Sequence, residues 1–478
     1  MSEPGSGRTR PEDAPSGAGP AREGGGGSTA AASHGPVTRE LAPGVVRTDL
    51  PDGLTVISER MPGVRSLAAG LWIRQGTVHE REVRRGISHL LEHMVFKGTG
   101  RRSPRQIALE IEEVGGALDA YTTHEHTAFT AHVPVAHTTR ALDVLTDLVF
   151  EPTLRSADLE PEREVVLEEI AGVDDAPDQL VYELHSPFLY GGHPYGAPIL
   201  GTRTTVSSLT ESDLRELHRA AYRRGNAVFT AAGLVEHEAL LEALLDRLGP
   251  EEPATGRTGV ETPESWGSGV REVDRPGGQQ AHVVAAVPTV PFGHRLRYAT
   301  VLVETALGEG MSSRLFQKIR EELGLVYTIY SFQSFYQKAG HAGAYLATRP
   351  ETAREARDAM LEELSRLARE GLDDQELRST REQLKGSAML SLESPASRMH
   401  RLAGTVLYDE PFRTMDELAA LIDDITAADA AEAAALFDPD RAAVLELGPG
   451  EESGRNGRSR PPAADARIQS RPETGVRR

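Results

Sequence analysis

Hydrophobic positions follow two periods in turn along the chain. TVISERM (55–61) and SLAAGLWIR (66–74) read as strands. A largely apolar helix follows around His89, then a helix over 105–114. AYTTHEHTAFTAHVP (120–134) reads as a strand pair, and 137–150 as a helix. The same order then returns. GVREVDR (269–275) and AHVVAAVP (281–288) precede helices over 297–307 and 313–322. YTIYSFQSFYQKAGHAGAYLAT (327–348) is a second strand pair, and a helix follows over 352–370. TLRSADLEPEREVVLEEI (153–170) in the first half matches GLDDQELRSTREQLKGSAML (371–390) in the second. Strands alternating with amphipathic helices, with antiparallel hairpins, predict an α+β fold class. The repeated order predicts two homologous α/β-sandwich-like domains made by internal duplication.

Breakers divide the pattern. GPEEPATGRTGVETPESWGSG (249–269) is the expected linker, between a first domain at 38–248 and a second at 270–449. Residues 1–37 and 450–478 are rich in small and polar residues and are expected to be disordered tails. Neither a signal-peptide pattern nor a membrane-spanning run is seen, so a cytoplasmic protein with no membrane partner is expected. The chain has 478 residues and a net charge of −20, from 72 acids against 52 bases. That charge argues against nucleic acid as a partner and points weakly to cationic substrates. There is no cysteine, so a metal site has only His, Asp and Glu to draw on.

SHLLEHMVFKGT (88–99) carries such a set. His89 and His93 are one helical turn apart on one face, the spacing two imidazoles need to share a small cation. Glu92 borders that face and can hold a water without being a ligand. The alternatives are two solvated histidines beside an acid, or a buried pair satisfied by other groups. Chance would give H-x-x-[DE]-H roughly 0.08 times in such a chain. A third ligand is needed, and LEPEREVVLEEI (159–170) is rich in acids. Glu162 and Glu169 lie two turns apart on one face; spacing leaves Glu164 and Glu168 as an equally good pair.

H-x-x-E-H is the inverted zinc motif. The chain around it resembles the pitrilysin/insulinase family of metallopeptidases, M16, in particular short bacterial members similar to the mitochondrial processing peptidase β-subunit. The resemblance rests on GISHLLEHMVFKGT, GGALDAYTTHEHTAF, LEPEREVVLEEI, GGHPYGAPILGT and GEGMSSRLFQKIREELGLVYTIYSF. It implies a zinc endopeptidase acting on unfolded peptides, with one Zn2+ per chain held by His89, His93 and Glu169. It implies Glu92 as general base and Glu162 as a supporting acid. Asp119, Ala120 and Tyr121 would form a substrate-binding edge strand, with Asp119 where the family usually has Asn. Glu125 stands at an acid position that would brace the metal site. His124 and His126 are expected at the rim or in solvent, and His193 in a turn.

The second half has no H-x-x-E-H, and Ser387 aligns with Glu169, so no metal is expected there. Arg320 and Tyr327 match a substrate-binding pair. The two domains would be half of a clamshell chamber, completed by a second copy in a homodimer or by a metal-free paralogue in a heterodimer. The competing reading, also drawn from the family, is a non-catalytic peptide-binding or structural subunit.

Overall fold

In a computed structural model, residues 35–249 and 259–449 are described. The expected tails, apart from 35–37, and residues 250–258 of the expected linker lie outside these residues. Pro36 onward forms one compact unit.

The first sheet has seven strands: β1 (Val37–Ala42), β2 (Val45–Asp49), β3 (Thr55–Arg60), β4 (Ser66–Ile73), β5 (Ala117–Thr122), β6 (Thr127–Pro134) and β7 (Ala227–Gly233), in the order β1-β2-β3-β7-β4-β6-β5. The second has five: β8 (Gly269–Asp274), β9 (Ala281–Thr289), β10 (Val326–Phe335), β11 (Gly340–Thr348) and β12 (Ala443–Gly448), in the order β10-β11-β9-β12-β8. The hairpins β5–β6 and β10–β11 stand at the edges of their sheets. The predicted strands are therefore present, and β1, β2, β7 and β12 are additions.

First-half helices are α1 (Ile87–Val95), α2 (Pro104–Glu112), α3 (Thr138–Phe150), α4 (Ser156–Asp175), α5 (Pro177–Leu189), α6 (Arg203–Ser208), α7 (Glu211–Ala221) and α8 (His237–Leu245). Those of the second are α9 (Arg297–Gly308), α10 (Ala353–Glu370), α11 (Asp374–Ser391), α12 (Pro395–Leu407), α13 (Met415–Asp423) and α14 (Ala427–Ala434). The predicted helix over 313–322 is a π-helical segment at Phe316–Glu322.

Each sheet buries one face under helices of its own half. Leu67, Leu71, Phe129, Leu90, Leu145 and Val166 share the first core. Val283, Leu302, Ile319, Leu346 and Met360 share the second. The other faces are covered by exchange. In the first sheet, Ile57, Trp72 and Val228 pack against Met399, Leu402 and Val406 of α12. In the second, Val284, Tyr345 and Leu445 pack against Val181 of α5. Parallel and antiparallel strands buried on both sides read as nearly continuous apolar runs, as in β9 and β4. Trp266, within the expected linker, packs on Tyr190 with ring centroids 4.9 Å apart. That part of the linker is a built contact.

Candidate metal centre

α1 begins at a fixed point. Gly86 has φ +88°, and a Cβ there would lie 2.5 Å from the Leu200 carbonyl oxygen. Only glycine combines that backbone with that approach. Glu80 accepts from the backbone N–H of Gly86 and of Ser88, both at 2.8 Å, and so caps the exposed donors of the first turn. Burial pushes its carboxyl up to about 7. The residues that fix the start of α1 also fix where its histidines point.

The His89 and His93 rings meet edge to face, with centroids 4.7 Å apart and planes at 60°. Glu169 of α4 faces both. His89 Nε2 lies 3.7 Å from Glu169 Oε2, and His93 Nε2 lies 3.6 Å from Glu169 Oε1. One donor atom from each of the three falls within 4.8 Å of the others. These separations are too long for hydrogen bonds. They suit three ligands of one small cation, since a tetrahedron with bonds of about 2.1 Å has edges of about 3.4 Å. Glu169 Oε2 is buried with no hydrogen-bond partner among the described residues, an arrangement a cation would satisfy. Burial, reinforced by His93, lowers the His89 pKa to about 4, so its lone pair is available at neutral pH. The donor set therefore fits zinc.

Glu162 stands behind His93. Its Oε2 accepts from His93 Nδ1 at 3.3 Å, and its Oε1 pairs with Lys97 Nζ at 2.5 Å. A carboxylate cannot donate, so Nδ1 carries the proton and Nε2 is left free toward Glu169. Glu164 and Glu168, the equally spaced pair, are both exposed. Glu92 is buried and accepts from Thr122 Oγ1 at 2.5 Å. Burial raises its pKa, against the opposing pull of Thr122 and His93.

Thr122 ends β5, the strand with Asp119, Ala120 and Tyr121. Asp119 is exposed on the edge, and Ala120 packs partly on the first core. The Tyr121 ring turns toward α12, its hydroxyl 3.3 Å from His400 Nδ1. Glu125 does not touch the histidine pair. It accepts from Tyr195 Oη at 2.5 Å and from the Gln337 backbone N–H at 2.9 Å, so it joins the two halves. His124 and His126 are half-buried in that seam rather than solvated; His124 bonds Thr77 Oγ1 at 2.8 Å. His193 accepts from the Tyr195 N–H in a turn.

Among the described residues, Arg320 and Tyr327 make no hydrogen bond, ion pair or ring contact with the trio. The Arg320 guanidinium lies over Phe316 at 4.7 Å and over Tyr327 at 5.0 Å, all within the second half. Tyr327 is 77% exposed. Thr122, Lys97, Glu80 and Tyr195 were not singled out by sequence. The alternation along β5, which puts 118, 120 and 122 on one side, is the signal that could have marked Thr122.

Residues 55–203 match the family model for insulinase (peptidase family M16), and residues 208–384 match the model for the peptidase M16 inactive domain. A Bacillus subtilis protein described as an uncharacterized zinc protease is 37% identical over 77% of this chain and 89% of its own length. A Streptomyces coelicolor protein of the same description is 35% identical over 80% of this chain and 84% of its own. The solved peptidase M16 inactive domain from Pseudomonas fluorescens aligns with TM-score 0.78 and 21% identity over 85% of this chain and 98% of its own. A protease from Helicobacter pylori aligns with TM-score 0.77 and 20% identity over 87% and 100%. Those two likenesses concern the fold. With close to the full length of the Bacillus and Streptomyces relatives covered at this identity, the chain belongs to the insulinase family of peptidases, M16.

Proposed function

We propose that this protein is a zinc endopeptidase that hydrolyses unfolded peptides, with one Zn2+ per chain held by His89, His93 and Glu169. The observation that carries the reading is the convergence of those three donors beside the buried Glu92. A cation bound there supplies Lewis acidity, toward a water and toward the scissile carbonyl. The protein's own groups do the rest. Glu92 takes a proton from the attacking water at its carboxylate and returns it to the leaving amine. The Thr122 hydroxyl fixes one Glu92 oxygen and leaves the other for that proton. Glu162 holds His93 in the ligating tautomer. The open edge of β5 takes the peptide as an added strand, with binding carried by backbone bonds that tolerate many sequences. In this reading Arg320 and Tyr327 grip the substrate carbonyl from the second half of a partner copy, and the working form is a homodimer.

The test uses purified protein and a mixed peptide substrate. Wild type should contain about one zinc per chain and lose activity reversibly to chelators. Glu92→Gln should keep the zinc and lose at least about a hundredfold in turnover, the loss expected on removing a general base. Near-normal turnover in that variant with zinc bound would refute the role given to Glu92. Absence of zinc from wild type, with peptides bound but uncut, would favour a peptide-binding subunit.

A further inference from the structure

β5 is a sheet edge, and an edge strand offers unpaired backbone groups to a partner strand. The hairpin turn decides which groups these are. Thr123 N–H donates to His126 O at 2.8 Å, so 123 and 126 are a bonded pair. Bonded and non-bonded pairs alternate in an antiparallel ladder. The registers Tyr121↔Ala128 and Asp119↔Thr130 are then bonded as well. The backbone groups of Leu118, Ala120 and Thr122 therefore face outward, along the open edge.

The middle one of these donors is occupied. Asp119 Oδ1 accepts from the Ala120 N–H at 2.9 Å. Asp119 is exposed and has no ion-pair partner among the described residues. Thr122, at the end of the same strand, donates to Glu92, so Asp119 stands on the strand that borders that carboxylate. Because Asp119 bonds β6, a peptide added antiparallel along the open edge places a residue opposite it in a non-hydrogen-bonded pair. In such pairs the Cα atoms are about 4.5 Å apart and the side chains share a face. Its neighbour on that face, Tyr121, is committed to α12, so Asp119 is the β5 side chain a peptide meets there.

We propose that Asp119 is a specificity-determining residue, a carboxylate that caps the Ala120 N–H in the free protein and turns to the facing side chain when a peptide takes that N–H. It selects lysine or arginine at that one position and rejects aspartate and glutamate. The site recognises a cation next to the scissile bond, and this rests on the peptidase reading above.

The experiment scans Lys, Gln and Glu through each position of one internally quenched peptide whose cut bond is fixed by mass spectrometry. At one position relative to the cut, wild type should prefer Lys over Glu by about tenfold in kcat/KM, the swing between an attractive and a repulsive cross-strand pair. Asp119→Asn keeps an oxygen for the Ala120 N–H, and should bring that ratio to within about twofold. Asp119→Lys should invert it. Glu355→Gln removes one exposed charge from α10 and should leave the ratio intact. The same ratio should appear in anisotropy titrations of the Glu92→Gln protein. If wild type cuts nothing but this binding preference follows Asp119, the peptidase reading fails and the recognition stands. A preference that survives Asp119→Asn, or that falls equally in Glu355→Gln, overturns the proposal.

Discussion

At the scale of single residues, the histidine pair was legible because one helix carries it, and i to i+4 is a local rule. The third position was legible only in part. Spacing left two acid pairs on 159–170, and tertiary packing chooses between them by facing Glu162 and Glu169 toward α1 and leaving Glu164 and Glu168 exposed. Glu169→Gln should therefore lose the metal, whereas Glu168→Gln should keep it. Metal quantification on the two purified variants decides this, and the reverse result would mean that the ligating face of α4 is rotated by one residue. Thr122 and Glu80 were not legible. Thr122 acts through a hydrogen bond to Glu92 on another element, and Glu80 through two backbone bonds at the start of α1; a lone Thr or Glu carries no period to read.

At the scale of elements, the duplication was legible from element order, while the exchange of α5 and α12 was not. An amphipathic stripe says that a helix buries a face but not which sheet receives it. The duplication also leaves a chemical trace. α9, which follows β9 as α1 follows β4, carries a buried acid, Glu304, and no histidine. Glu304 is 6% exposed, and burial pushes its pKa from 4.5 to about 7. A carboxyl raised on folding binds its proton more tightly in the native state. Its contribution is complete below about pH 4.5 and is lost as pH rises to about 7. The shift is worth up to about 3 kcal/mol. Glu304→Gln, neutral at every pH and of the same shape, should be more stable than wild type at pH 8 and close to it at pH 4.5. Urea unfolding of both proteins at the two pH values measures the difference. A constant gap between them would show that Glu304 is not the titrating group.

At the scale of the whole molecule, the seam between the halves meets the turn that follows β5. Tyr195 and Tyr336 stack with ring centroids 4.5 Å apart, and Glu125, at the turn that follows β5, takes hydrogen bonds from both halves. With α5 and α12 exchanged as well, each half completes the other, which explains why the half without ligands is retained in the chain. The contacts of Arg320 are with Phe316 and Tyr327 of its own half, and among the described residues neither Arg320 nor Tyr327 bonds the candidate trio. Tyr327 is 77% exposed, free to engage something beyond the chain. In the proposed homodimer a second copy would present its trio to Arg320 and offer the same Arg320 in return. The prediction is then specific. Light scattering should give about twice the chain mass. Arg320→Ala should lose turnover and keep its metal, as should Glu92→Gln. Mixed and allowed to exchange subunits, these two inactive proteins should regain activity. In a mixed dimer the intact metal site of the Arg320→Ala chain receives Arg320 of the partner subunit, so one of its two sites is wild type. Random exchange of equal amounts makes half of the dimers mixed, so about a quarter of wild-type activity should return. If Arg320 served the metal site of its own chain, neither site of a mixed dimer would be whole and mixing would restore nothing.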